Sequence, residues 1–202
     1  MIIYGRQMSR AARCMWVLEE LGLAYTQVPI NGQVGENRTP DYLALNPSGK
    51  VPVLDDDGFI LRESLAINFY LAAKSDNALW PADIHDQALI YQWSSWAATE
   101  VEGPLSMIFH DRRRVMTDGG EPNTALATGC TAMAEKALTL LEDHLRSTDY
   151  VVGDRFTLGD INACSMVMLA PMFVDLSAYP KIQTWVARCA ARPAWQRVEA
   201  KP

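Results

Sequence analysis

Two short stretches bring together residue types that could hold a small zwitterionic ligand: Asn46-Pro47-Ser48-Gly49-Lys50-Val51-Pro52-Val53-Leu54, and Glu63-Ser64 shortly after it. Pro52 cannot donate a ladder hydrogen bond, so Val51 and Pro52 are expected on the edge of a short strand over 51–54. An X-Pro bond can adopt the cis form, which would hold the Val51 amide and carbonyl outward for a peptide-like ligand. Glu63 and Ser64 open a helical spread of Leu65, Ile67, Phe69, Tyr70 and Leu71. Free backbone amides and a hydroxyl then sit where an amino-acid carboxylate could dock, and Glu63 could hold the ammonium of the same amino acid. Taken singly, these pieces also read as an edge strand and a helix cap; their order and spacing carry the functional reading.

The elements that must position these residues follow from periodicity. Ile2–Tyr4 predicts a strand, Gly5–Ser9 a loop, and Ala11–Leu21 a helix stopped by Gly22. Tyr25–Ile30 predicts a second strand, Pro40–Leu45 a short helix, and Asp57-Gly58 a tight hairpin onto Phe59-Ile60-Leu61. This is an α/β pattern with a small mixed sheet. From Asp86 to Val198 no strand is convincing, and four or five helical stretches are punctuated by Gly119-Gly120, Pro122, Gly153, Pro180 and Pro193. The expected division is an α/β domain over 1–74, a linker over 75–84 and an all-helical domain over 85–202. Thr157-Leu158-Gly159-Asp160 is a capping box, with Phe156 and Ile161 placed as its hydrophobic staple. Ile161–Val174, which contains Asn162, Ser165 and Pro171, reads as a buried helix too short to span a bilayer.

At 202 residues and 49% hydrophobic, the chain can bury a substantial core. Its formal charge of -6 and pI near 5.0 argue against nucleic acid or an anionic membrane as partner. Arg112-Arg113-Arg114, flanked by Asp111 and Asp118, is expected to be a solvated helix face. The opening Met1-Ile2-Ile3-Tyr4 has no charged leader or cleavable apolar segment, so a cytoplasmic location is expected. Cys14, Cys130, Cys164 and Cys189 show neither CxxC nor zinc spacing and read as buried thiols, and His85, His110 and His144 have no neighbouring ligands. No metal site is expected.

The turn, Val51-Pro52, hairpin and Glu63-Ser64-x-Ala66-Ile67, followed late by Gly153-Asp154-x-Phe156-Thr157-x-x-Asp160, resemble the cytosolic glutathione transferases over essentially the whole chain. The resemblance implies a thioredoxin-like N-terminal domain joined to an all-α C-terminal domain, glutathione as co-substrate, no metal, and a homodimer. It also implies detoxification chemistry on a small hydrophobic electrophile. Glutathione-dependent peroxide reduction, isomerisation or dehalogenation, and a non-catalytic transferase-like binding protein, are the alternative readings.

Such an enzyme must make a thiolate near neutrality, where a free thiol is only about 3% ionised at pH 7. Tyr4-Gly5-Arg6-Gln7-Met8-Ser9-x-x-x-Arg13 resembles the serine-type subclasses, phi- or theta-like or bacterial, which implies that Ser9 binds the sulfur and Arg13 is structural. A hydroxyl at a helix N-terminus suits this, since its hydrogen bond and the helix dipole both favour the anion. Ser9 could equally be the cap of the first helix. Tyr4, as in tyrosine-type subclasses, and Cys14, as in omega-like members, are the rivals. The resemblance further assigns the cysteinyl unit to the Val51 main chain, the γ-glutamyl ammonium and carboxylate to Glu63 and Ser64, and the glycyl carboxylate to Lys50. Asn37 and Arg38 fall where some serine-type members place a histidine-lysine pair; Asn37 departs from it. Arg10 beside Ser9 departs from the more apolar neighbours common in the family, and could add positive potential near the sulfur or simply point to solvent. Gly103, Met107, His110 and Arg114 share one helix face that could contact the electrophile, or could instead be a dimer or core face.

Overall fold

The computed structural model of the chain describes residues 1–74 and 77–202. Ser75 and Asp76, the first positions of the expected linker, lie outside the described residues. Packing divides the chain into two units, Met1–Pro81 together with Ala190–Pro202, and Ala82–Cys189. Residues 190–202, expected with the helical domain, thus pack in the first unit.

The first unit contains β1 (Ile2–Tyr4), α1 (Ala11–Glu20), β2 (Thr26–Val28), α2 (Pro40–Leu45), β3 (Val53–Asp56), β4 (Phe59–Arg62) and α3 (Ser64–Ala73). The second contains α4 (Ile84–Trp96), α5 (Gly103–Asp118), α6 (Thr124–His144), α7 (Leu158–Val167) and α8 (Pro180–Ala190), and α9 (Pro193–Glu199) returns to the first. The sheet order is β2-β1-β3-β4, with β2 parallel to β1 and β3 antiparallel to both β1 and β4. This is the thioredoxin-like mixed sheet, followed by a helical C-terminal region. Helix α1 packs between α3 and α9, burying Met15, Trp16, Leu18, Ile67 and Leu71, with the Trp16 and Trp195 rings 4.7 Å apart.

Several expectations are corrected. β3 lies inside the sheet rather than at an edge. The strand starts at Val53, one residue after Pro52, so the N–H that proline lacks falls outside the ladder. The Val51-Pro52 bond is cis. β2 spans Thr26–Val28 rather than 25–30, because β1 offers it only the three partners Ile2, Ile3 and Tyr4. The expected hairpin forms with Asp57 and Gly58 both at positive φ, 53° and 94°, and the Gly58 amide donates to Asp55 Oδ1 at 2.7 Å.

Among the described residues beyond Pro81 there are six α-helices where four or five are expected. Pro180 and Pro193, expected to separate helical stretches, stand as the first residues of α8 and α9. A π-helical turn over Ala97–Glu102 joins α4 to α5. The expected buried helix over 161–174 starts earlier, at Leu158, and ends at Val167, ahead of a short 3-10 turn that contains Pro171. Among the described residues no helix is long and apolar enough to cross a membrane.

The start of α7 is set by the capping box, formed reciprocally between Thr157 and Asp160. Asp160 is fully buried; its Oδ2 accepts from the Thr157 amide at 2.8 Å, and its Oδ1 from the Val151 amide at 3.0 Å and Trp185 Nε1 at 2.9 Å. One carboxylate thus ties α7 to α8 and to the segment before it. Burial outweighs these donors and pushes its pKa up to about 6. Thr157→Ala is expected to cost about 1 kcal/mol in urea unfolding. Asp160→Ala is expected to cost about 3 kcal/mol or more, since each buried donor left without an acceptor costs about 1–3 kcal/mol. The raised pKa makes the folded chain bind a proton that the unfolded chain has lost between about pH 4 and pH 6. The Asp160 contribution is therefore complete below about pH 4 and is lost as pH rises through about 6. The stability gap between the wild type and Asp160→Asn should widen as pH is lowered from 7 to 5.

Candidate active site

Antiparallel pairing sets Tyr4 opposite Val53, so the loop leaving β1 and the segment entering β3 emerge side by side. Gly5, at φ 139°, marks the junction. A Cβ there would lie 2.5 Å from that of Ala11, 3.4 Å from that of Val51 and 3.5 Å from Ser9 Oγ, and only glycine tolerates that approach. Helix α1 then opens without a side-chain cap at Arg10. Ser9 supplies the missing acceptor, its Oγ receiving the Ala11 amide at 3.2 Å while its own proton goes to the Arg6 carbonyl at 2.7 Å. The Arg6 carbonyl also accepts the Ser9 amide at 3.1 Å. The hydroxyl can therefore turn toward an incoming anion without orphaning that carbonyl.

The rivals to Ser9 sit differently. Tyr4 is half-buried with its ring edge-on to Tyr42, centroids 6.2 Å apart. Cys14 is fully buried, its thiol directed at the Ser64 carbonyl at 3.5 Å, and burial pushes its pKa up, against thiolate formation. Cys130, Cys164 and Cys189 are buried and free as well. Among the described residues no cluster of His, Cys, Asp or Glu could hold a metal ion.

Helix α3 opens on a strained residue. Glu63 has φ 68° and ψ 116°, a conformation that costs a non-glycine residue about 1–3 kcal/mol, and its side chain caps no amide. The first amides of α3 thus receive no side-chain cap, beside the buried Ser64 hydroxyl. Arg13, 3% exposed, places Nη1 3.4 Å from Ser64 Oγ and so joins α1 to α3 below the site. A small open cleft is lined by Arg10, Asn46, Lys50, Val51, Pro52, Glu63 and Ser64. Arg10, Lys50, Val51, Glu63 and Ser64 are thereby gathered in one place, while Ser9 is not among the lining residues.

The sequence reading missed the residues that aim this wall. The Lys50 carbonyl receives both the Tyr42 hydroxyl and Asn46 Nδ2, each at 2.7 Å, which fixes the peptide just before Val51. Asn46-Pro47 reads as a turn signal, and Tyr42 falls within the expected short helix over 40–45, so neither announces this role. Asn37 Nδ2 donates to the Gly49 carbonyl at 2.7 Å, and Arg38 Nη1 to the Ser48 carbonyl at 3.4 Å. With its amide group held this way, Asn37 presents a buried Oδ1 that has no hydrogen-bond partner, an acceptor that cannot serve a carboxylate.

In the second unit, α5 buries Leu105 and Ile108 and exposes Met107 and His110, so the face carrying the latter pair is not a core face. Arg114 is already engaged, its Nη2 donating to Asp111 Oδ1 at 2.9 Å and to the Glu121 carbonyl at 3.0 Å. Arg112 and Arg113 are exposed, and Arg112 lies over the Phe173 ring.

Two family models match, glutathione S-transferase N-terminal domain over residues 1–73 and C-terminal domain over 98–193. Glutathione S-transferase 3 of Zea mays is 33% identical, across 98% of this chain and 92% of its own. A probable glutathione S-transferase of Oryza sativa is 32% identical, across 98% and 95%. The structure of the theta class glutathione S-transferase from Xanthomonas axonopodis pv. citri with glutathione bound superposes with a TM-score of 0.86 at 33% identity, covering 100% of this chain and 97% of that one. With both family models matched in order and relatives aligned from end to end, the chain belongs to the glutathione S-transferase family.

Proposed function

We propose that the chain conjugates the thiolate of glutathione to small apolar electrophiles, with the Ser9 hydroxyl activating the thiol. The observation that carries this reading is the Ser9 geometry: Oγ already accepts the Ala11 amide at the start of α1, which polarises its O–H toward donation. Turned from Arg6 to a sulfur, that O–H and the positive end of α1 both favour the thiolate. Lowering a thiol pKa from about 8.5 to about 6.5 takes roughly 2.7 kcal/mol, within reach of one charge-assisted hydrogen bond and a helix terminus together.

The remaining roles follow from charge and position. The Val51 main chain pairs with the cysteinyl unit, Glu63 binds the γ-glutamyl ammonium, and Ser64 with the α3 amides binds the γ-glutamyl carboxylate. Lys50, assisted by Arg38, binds the glycyl carboxylate, and Asn37 holds the Ser48-Gly49 turn behind Lys50. Met107 and His110, exposed on α5, are the proposed contacts of the electrophile. Family membership further supports a cytoplasmic homodimer acting in detoxification. A transferase-like protein that bound no glutathione would need none of Lys50, Glu63 and Ser64.

In a chlorodinitrobenzene assay Ser9→Ala is expected to return the ionisation midpoint of bound glutathione toward about 8.5 and to lower kcat/KM at pH 6.5 by about 10- to 50-fold. Cys14→Ala and Tyr4→Phe should leave the midpoint at its wild-type value; a shift in either would transfer the activating role to that residue. Glu63→Gln removes one charge-assisted contact of about 1.5–3 kcal/mol, so the KM for glutathione should rise about 10- to 100-fold with kcat changed far less. A calorimetric titration of the wild type with glutathione that released no heat would instead favour a non-binding relative.

A further inference from the structure

The loop that carries Ser9 gains little from burial, since Met8 at its tip is 94% exposed and Arg6 is exposed too. Polar ties must hold it. Gln27, on β2 opposite Ile3, uses both hydrogens of its side-chain amide: Nε2 donates to the Gly5 carbonyl at 3.0 Å and to the Pro202 main-chain oxygen at 2.9 Å. The Pro202 oxygen also accepts the Gln7 amide at 3.2 Å. Gly5 and Gln7 flank Arg6, whose carbonyl holds the Ser9 hydroxyl and amide. Turning the Gln27 amide over would set its oxygen against two acceptor oxygens, so only the donating orientation fits.

The segment that brings Pro202 here is itself fixed to the far end of α1. Arg192 forks onto Glu20 at 2.6 and 2.8 Å, Arg197 reaches Glu19 at 2.6 Å, and Lys201 Nζ lies 3.4 Å from Glu19 and over the Tyr25 ring. One segment therefore grips the C-terminal end of α1 and the loop that leads into the helix.

We propose that Gln27, acting with the Pro202 main-chain oxygen, is a positioning residue that aims the Ser9 hydroxyl for thiol activation; the proposal rests on the Ser9 reading above. Gln27 touches neither sulfur nor electrophile, and acts through the Gly5–Ser9 loop. Its loss should therefore move the chemistry and leave glutathione binding through Lys50, Glu63 and Ser64 intact.

The test compares Gln27→Leu, of similar size without donors, Gln27→Glu, which offers the two oxygens an acceptor, and a chain lacking Lys201 and Pro202. For each, kcat, the KM for glutathione, the ionisation midpoint of bound glutathione and Tm are measured, alone and with Ser9→Ala. The expected result is a higher midpoint and a kcat at pH 6.5 lowered about 5- to 10-fold, with KM changed less than about twofold. In the Ser9→Ala background the same changes should have no further effect on the midpoint. A lowered Tm with midpoint and kcat unmoved overturns the positioning role and leaves Gln27 merely structural. If Ser9→Ala moves the midpoint and no Gln27 variant does, the positioning role alone fails; if Ser9→Ala does not move it, the Ser9 reading fails and takes the proposal with it. Should one substitution prevent folding, the others give the same reading.

Discussion

A side chain at residue 5 would push its Cβ to within 2.5 Å of the Ala11 Cβ, and the candidate site depends on that space staying empty. The end of β1, the start of α1 and the peptide before β3 converge there because Gly5 lets two backbones and a helix approach closely. From that approach come the placement of Ser9 Oγ near Gly5, the position of Val51 on the other side, and the register that sets Tyr4 opposite Val53. Polar groups then refine what sterics allow: Tyr42 and Asn46 fix the Lys50 carbonyl, and Arg13 links Ser64 to α1.

Both elements proposed to face an anion are helix N-termini, and both depart from ordinary capping. At α1 the side chain that receives a helix amide belongs to Ser9, one residue before the formal cap position, and its proton is held by a carbonyl that has a second donor. At α3 the cap position is a glutamate in a left-handed conformation whose side chain serves no amide. Unspent capping potential and local backbone strain are what a preformed anion site requires, and each costs stability that the packing of α1 between α3 and α9 must offset. The second unit, by contrast, spends a buried carboxylate on structure. Asp160 satisfies donors from three places and accepts a raised pKa in return.

Much of this was legible in the chain because the informative residues act locally. Asp57-Gly58 specifies a hairpin whatever surrounds it, Thr157 and Asp160 specify a helix start, and Glu63-Ser64 specify another. The misreadings arose where tertiary context decides. Pro52 suggested an edge, but one residue of offset lets an internal strand begin after it. Pro180 and Pro193 marked breaks between helical stretches, and the fold decides which side of each break they take: both open the helix that follows. Gln27, Asn46 and Tyr42 act across the fold through single amides and a hydroxyl, over separations that no periodicity encodes. The grip of residues 190–202 on α1 likewise needs Glu19 and Glu20 to meet arginines far along the chain.

The central claim is that the Ser9 hydroxyl exchanges the Arg6 carbonyl for the glutathione sulfur. A crystal structure of the glutathione complex tests it most directly. The account predicts Ser9 Oγ within hydrogen-bonding distance of the sulfur, no longer directed at the Arg6 carbonyl, with the Ser9 amide still bound there. A complex in which Ser9 Oγ keeps its bond to Arg6 while the sulfur rests against the Tyr4 hydroxyl or near Cys14 would contradict it.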